Sequence, residues 1–111
     1  MLEWEKYRSE LLTRTADLGR LSPATIRGYR ELSDAGKTTD RLGAKVRELI
    51  ALGVAVTRQC DGCIATHVRA AHKAGATREE VAEALSVAIA VNAGAALVYS
   101  ARVMDALAAE E

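Results

Sequence analysis

The sequence predicts an all-α chain of about six helices. Three observations carry this. No run alternates apolar and polar residues between turn signals as a strand would. Ser22-Pro23 reads as a helix start, with serine at the N-cap and proline at the first helical position. Thr77-Arg78-Glu79-Glu80 has the spacing of a capping box.

The elements follow in order. A first helix is expected from about Leu2 to Asp17, with Leu18-Gly19-Arg20-Leu21 as the connection. A second runs from Pro23 to about Ser33. The polar, glycine-containing Asp34-Ala35-Gly36-Lys37-Thr38-Thr39 then reads as a loop. A third helix begins between Asp40 and Ala44 and ends near Thr57. Val46, Leu49, Ile50, Leu52, Ala55 and Val56 cover most of its circumference, so it is expected at the centre. A fourth opens at Cys60 and ends at Ala74, with Gly75 as its C′ residue. The capping box opens a fifth, whose apolar positions are Val81, Leu85, Ala88 and Ile89. Asn92-Ala93-Gly94 is expected to break or kink it, and a last helix runs to about Ala108.

Composition bounds the function. A chain of 111 residues suggests one domain, residues 1–111. Half the residues are apolar but Phe is absent, so the core must come from Ala, Leu, Val and Ile. Small side chains bury little area each, and a small domain is marginal alone, so burial against further copies of the chain is expected. Fifteen basic and fifteen acidic residues cancel, which argues against a nucleic-acid surface or a polybasic membrane patch. The N-terminal Met-Leu-Glu-Trp-Glu-Lys-Tyr-Arg is too charged for a signal peptide. Ala84 to Ala101 holds no charged residue, yet Ser86, Asn92, Gly94 and Ser100 interrupt it, so a subunit interface is expected there, not a membrane span. A cytoplasmic location is the consequent expectation. In that compartment a CxxC is more often catalytic or metal-binding than a structural staple.

The chemistry concentrates in Cys60-Asp-Gly-Cys63-Ile-Ala-Thr-His67. At 100° per residue, positions 60, 63 and 67 fall within about 60° of arc on one helix. Thiols three residues apart on a helix have Cα atoms roughly 5–6 Å apart, inside the window a disulfide accepts. At a helix N-terminus the thiolate is favoured by the macrodipole and unpaired N–H groups. A thiolate can attack a peroxide to give a sulfenic acid, and a neighbouring thiol then condenses with it. His67, one turn after Cys63, is close enough to exchange its proton. Two buried thiols without chemistry are the plain alternative. Zinc held by Cys60, Cys63, His67 and His72 fits poorly, because Cys60 and His67 are separated by roughly 10 Å of helical rise. His72 points elsewhere and reads as a solvated surface residue, and Trp4, Tyr7, Tyr29 and Tyr99 read as packing residues. Glu48 lies in the most apolar helix. There a carboxylate needs a partner: Lys45, Arg47, an arginine from another helix, or the site itself.

Three segments together resemble the AhpD-like alkylhydroperoxidase and carboxymuconolactone decarboxylase superfamily: Glu48-Leu-Ile-Ala-Leu, Cys60-Asp-Gly-Cys63-Ile-Ala-Thr-His67 and Ala74-Gly75-Ala76-Thr77-Arg-Glu-Glu80-Val. The resemblance covers about residues 42–108. It implies an all-α fold assembled as a trimer or hexamer with sites near subunit interfaces. It also implies reduction of an alkyl hydroperoxide, with Cys63 peroxidatic, Cys60 resolving, and His67 with Glu48 as a proton relay. No cofactor is implied beyond the redox-active Cys60–Cys63 disulfide. Electrons are expected from a dithiol reductant, which in the best-known member is a lipoylated protein. Alkylhydroperoxidase D carries a histidine between its cysteines, where this chain has Gly62. The chain is therefore expected to be a thiol-dependent peroxidase or disulfide reductase. A carboxymuconolactone decarboxylase-like lyase and a non-enzymatic oligomeric redox sensor are the alternatives.

Overall fold

The structure is a computed structural model that describes residues 1–111. It contains five helices and no strand: α1 Trp4–Leu21, α2 Pro23–Thr39, α3 Gly43–Thr57, α4 Asp61–Lys73 and α5 Arg78–Ala109. The all-α expectation holds, with five helices in place of six.

Helix α3 is the axis, as its nearly all-round apolar sequence implies. It packs on α4 and on α5, while α1 packs on α2 and α4 and α2 touches α3. The fully buried residues are Leu52 and Ala55 of α3 and Ala65 and Ala71 of α4. The core is thus made chiefly of alanine, which lets the two helix backbones approach closely.

The ends of α4 and the start of α5 follow local rules. Gly75 takes φ +87°. Its N–H bonds the His72 carbonyl and the N–H of Ala76 bonds that of Ala71, the two bonds of a Schellman motif. At α5, Thr77 Oγ1 accepts from the Glu80 N–H and Glu80 Oε1 accepts from the Thr77 N–H, closing the expected capping box. Glu80 also pairs with Lys45 of α3 at 2.8 Å, which fixes the start of α5 against the axis.

Three boundaries and one cap bond differ from expectation. Helix α1 continues through Gly19 to Leu21. A Cβ at Gly19 would lie 3.3 Å from Ile26, so this glycine lets α1 and α2 come together and does not break the chain. Ser22 occupies the N-cap of α2, but its hydroxyl bonds Thr25 Oγ1 at 2.7 Å in place of a backbone N–H. Helix α2 runs through the polar segment to Thr39, supported by the Lys37–Asp34 pair. The stop comes at Asp40, whose φ of +44° is left-handed. Finally, Asn92-Ala93-Gly94 does not interrupt α5. The Asn92 amide donates to Thr57 Oγ1 and to the Ala88 carbonyl, both at 2.8 Å, so it ties α5 to the end of α3 while the helix continues.

Tyr29 and Tyr99 also depart from expectation. Both are exposed in the single chain, with Arg102 over the Tyr99 ring. Tyr29 lies on α2, whereas Tyr99 belongs to a larger exposed apolar surface on α5, including Val91, Leu97, Val98, Val103, Met104 and Leu107. Helix α5 touches α3 alone among its neighbours. By length and composition α5 is long and apolar enough to cross a membrane. The accessible surface is 9004 Å², roughly half as much again as the ~5,900 Å² that a folded monomer of this mass exposes. The radius of gyration is 18.3 Å, against about 13 Å for a compact chain of this length.

The Glu80 carboxyl is held below its ordinary value by its bond with Lys45 first and by the Thr77 N–H second. A carboxyl held low in the folded state stabilises fully above its ordinary value of 4.5 and loses that contribution as the pH falls through the lowered value. Glu80→Gln is therefore expected to lower stability in denaturant unfolding at pH 7, and the gap from the parent is expected to narrow in acid below pH 4.5. A gap that does not change with pH would contradict the assignment.

Candidate active site

The turn between α3 and α4 presents the cysteines. Gln59 adopts φ +52°, a left-handed conformation that a non-glycine residue takes at some cost. Cys60 is then extended and caps α4. Its N–H bonds the Ala55 carbonyl at 3.1 Å, tying the turn to the last turns of α3. Cys60 Sγ accepts from the Cys63 N–H at 3.1 Å. Cys60 and Cys63 are joined in a disulfide with Cα atoms 5.2 Å apart, as their spacing allows. Both sulfurs thus sit at the positive end of a helix dipole, where a thiolate released by reduction is stabilised. That backbone N–H is aimed at Cys60, so it would stabilise a Cys60 thiolate.

His67 and Glu48 complete the site. His67 Nδ1 and Glu48 Oε2 are 2.6 Å apart, a bond between α4 and α3. With Glu48 as a carboxylate, the ring donates from Nδ1, which leaves Nε2 of the neutral imidazole free to accept a proton. The two side chains are 31% and 24% exposed, so solvent reaches the pair but does not surround it. The cationic neighbours that Glu48 had available are engaged elsewhere: Lys45 with Glu80, and Arg47 with Asp40 at 2.6 Å. Of the partners considered for Glu48, the observed one is therefore His67.

His72 is exposed, as expected of a surface residue. No three His, Cys, Asp or Glu side chains stand close enough together to share a metal ion. The disulfide also engages both thiols on which a zinc site would draw.

Helix α1 brings residues that the sequence reading left out of the site. A Cβ at Gly62 would lie 2.9 Å from Leu11 Cδ2 and 3.9 Å from the Tyr7 hydroxyl. Arg8 reaches the Ala65 carbonyl with Nε at 3.1 Å and Nη2 at 2.6 Å. Glu5 pairs with Arg69, which is the chief cause of a Glu5 carboxyl held below its ordinary value, and with Arg8. Tyr7 also makes an edge-on contact with Trp4, so it serves packing while its hydroxyl lies near Gly62. No local pattern points to these residues, because the register of α1 on α4 is a tertiary fact.

An all-α chain with a disulfide at a helix N-cap and a His–Glu pair one turn further on defines a thiol-bearing member of the AhpD-like superfamily. Comparison with known proteins places it more closely. The pattern of the carboxymuconolactone decarboxylase family matches residues 23–106, and the chain belongs to that family. An uncharacterized protein from Haemophilus influenzae is 43% identical over 109 residues, covering 98% of this chain and 96% of that one. An uncharacterized protein from Cupriavidus necator is 33% identical over 96 residues, covering 86% and 85%. Among solved structures, an apo carboxymuconolactone decarboxylase family protein from Legionella pneumophila superposes with a TM-score of 0.76 at 33% identity. That match covers 94% of this chain and 93% of the other.

The Glu48 bond sets the tautomer of His67. In nitrogen NMR spectra the neutral ring is expected to carry its proton on Nδ1. In Glu48→Ala, which removes the acceptor, the proton is expected to move to Nε2. An Nε2-protonated ring in the parent would contradict the assignment.

Proposed function

We propose that this chain is a thiol-dependent peroxidase that reduces organic hydroperoxides through Cys60 and Cys63 and is regenerated by a dithiol. The single observation that carries this reading is the Glu48–His67 bond beside a disulfide at a helix N-terminus. Nδ1 is engaged, so the ring has one free nitrogen, and it stands one turn from Cys63.

In the reduced enzyme the Cys63 thiol passes its proton to His67 Nε2 and becomes the peroxidatic thiolate. The thiolate attacks one oxygen of ROOH. The O–O bond breaks, Cys63 becomes a sulfenic acid, and the leaving alkoxide takes the proton from His67 as ROH. Cys60, whose thiolate the Cys63 N–H stabilises, attacks Cys63 Sγ. Hydroxide leaves, takes a proton and departs as water, and the disulfide forms. Two electrons from a dithiol then restore both thiols. Glu48 balances the imidazolium while it holds the proton. The requirements are a small hydroperoxide and a dithiol such as dihydrolipoamide or a lipoylated protein. No further cofactor, nucleic acid or membrane enters the cycle, and a cytoplasmic setting keeps the dithiol supplied.

The family description supports a second reading, a lyase of the carboxymuconolactone decarboxylase kind. There the His67–Glu48 pair would move a proton beside a lactone and the thiols would be incidental. Lactone turnover that survives alkylation of both reduced cysteines would select it.

The assembly belongs to the same proposal. The unshielded face of α5 and the excess exposed area fit a homo-oligomer, a trimer or hexamer, in which copies cover one another's α5. Ser86, Asn92, Gly94 and Ser100 interrupt the apolar run of α5, which makes it weakly suited to lipid. Light scattering at micromolar concentration is expected to return a multiple of the 11.8 kDa chain mass. A monomer mass would overturn this.

The catalytic reading is tested with cumene hydroperoxide and dihydrolipoamide. Cys63→Ser is expected to abolish peroxide consumption. Cys60→Ser is expected to consume one equivalent and stop at a trappable sulfenic acid. His67→Ala is expected to slow turnover about 10²-fold or more, the usual range for a lost general acid–base group. Parental rates in both cysteine variants would sink the mechanism.

A further inference from the structure

Helix α1 lies against the residue between the two cysteines, and its fit there is close. Leu11 covers Gly62, so a side chain at that position would have to push the end of the Leu11 side chain aside. The two helices meet in matching steps: Leu11 on Gly62, Arg8 on the Ala65 carbonyl, and Glu5 on Arg69. On α4, Gly62 is about 100° around the axis from Cys63. The Glu48–His67 pair holds one flank of the cysteine stripe and α1 builds the other.

The seat is tight but weakly held. Helix α1 has no fully buried residue, and apart from α4 it packs only on α2. Glu5 and Arg69 are mostly exposed, and such ion pairs hold little. An element with few buried contacts is the kind that opens locally without global unfolding. Residues 4–21 also lie outside the 23–106 span that the family pattern matches.

We infer that Leu11 and Tyr7 are specificity-determining residues for the reductant. With α1 seated, the Cys60–Cys63 disulfide admits a slender dithiol and turns away a dithiol embedded in the surface of a globular protein. The inference rests on the reading of the pair as a redox couple. In the step concerned, a thiolate of the reductant attacks one cysteine Sγ and the S–S bond breaks. The departing sulfur takes a proton. The reductant's second thiol, deprotonated, attacks the mixed disulfide and releases the other cysteine, which takes the second proton. Two electrons and two protons have moved, and the reductant leaves as a disulfide. A free or arm-borne dithiol needs room for one chain at the sulfur. A protein dithiol must also lay its surrounding surface on α4, where Leu11 and Tyr7 stand.

The test follows reduction of the oxidised full-length protein without any peroxide, quenching with N-ethylmaleimide and reading the mass gain. Dihydrolipoamide and reduced thioredoxin are compared at equal dithiol concentration. The parent is expected to favour dihydrolipoamide. Leu11→Ala is expected to raise the thioredoxin rate about tenfold and to change the dihydrolipoamide rate by less than about threefold, since access limits only the larger reagent. Arg8→Gln, which unlatches α1 and keeps the Leu11 side chain, is expected to act in the same direction and to speed amide exchange in α1. A rate ratio that stays parental in both variants overturns the inference, as does a parent that thioredoxin reduces as fast as dihydrolipoamide does. A protein that shows this selectivity yet consumes no hydroperoxide keeps the inference and loses the peroxidase reading.

Discussion

The close packing of α3 on α4 is the constraint from which the rest of the molecule follows. Every fully buried residue lies on one of these two helices, and three of the four are alanines. Alanine contributes little area, so the contact works through proximity: the backbones approach, and the short turn at 58–60 holds the helices in a fixed relation. That relation sets the Glu48 carboxylate of α3 at hydrogen-bond distance from His67 of α4. A bulkier core would separate the helices and open the bond. The alanine-rich composition and the site geometry are in this sense one property.

The site also depends on where α4 begins. Cys60 serves as N-cap in place of serine, threonine or aspartate, so the sulfur that caps the helix is also a partner in the disulfide. Reduction leaves the capping hydrogen bond available to a thiolate, which accepts it more strongly than a disulfide sulfur does. A helix terminus is thereby made responsive to redox state by the backbone alone, and the His67–Glu48 bond stands one turn away.

The outer elements are tied to this centre by polar contacts of different strength. Lys45–Glu80 and Asn92–Thr57 fix α5 to α3 at two points, and the rest of α5 is left uncovered. Arg8 and the Glu5–Arg69 pair hold α1 over Gly62. A small chain that encloses so little of its apolar surface meets the need for further burial outside itself, which gives α5 its proposed place between subunits.

What the sequence determined by itself is whatever depends on near neighbours along the chain. The all-α class, the Thr77–Glu80 capping box, the Gly75 C-cap and the reach between Cys60 and Cys63 were legible because each is set within one helical turn. Breakers were misleading for a related reason. Gly19, the 34–39 segment and Asn92-Ala93-Gly94 carry local signals for interruption, yet the helices run through them. Contacts with Ile26 and Thr57, and a solvent-facing Asp34–Lys37 pair, outweigh propensity there. Residue type left Lys45, Arg47, an arginine from another helix and the site itself open as partners of Glu48; the resemblance implied His67, and only the tertiary structure shows the two side chains bonded. The tertiary structure alone also decided that α1 sits on Gly62. Both are matters of how two helices are rotated and registered against each other, and that register follows from packing over the whole chain, which no spacing within one segment records.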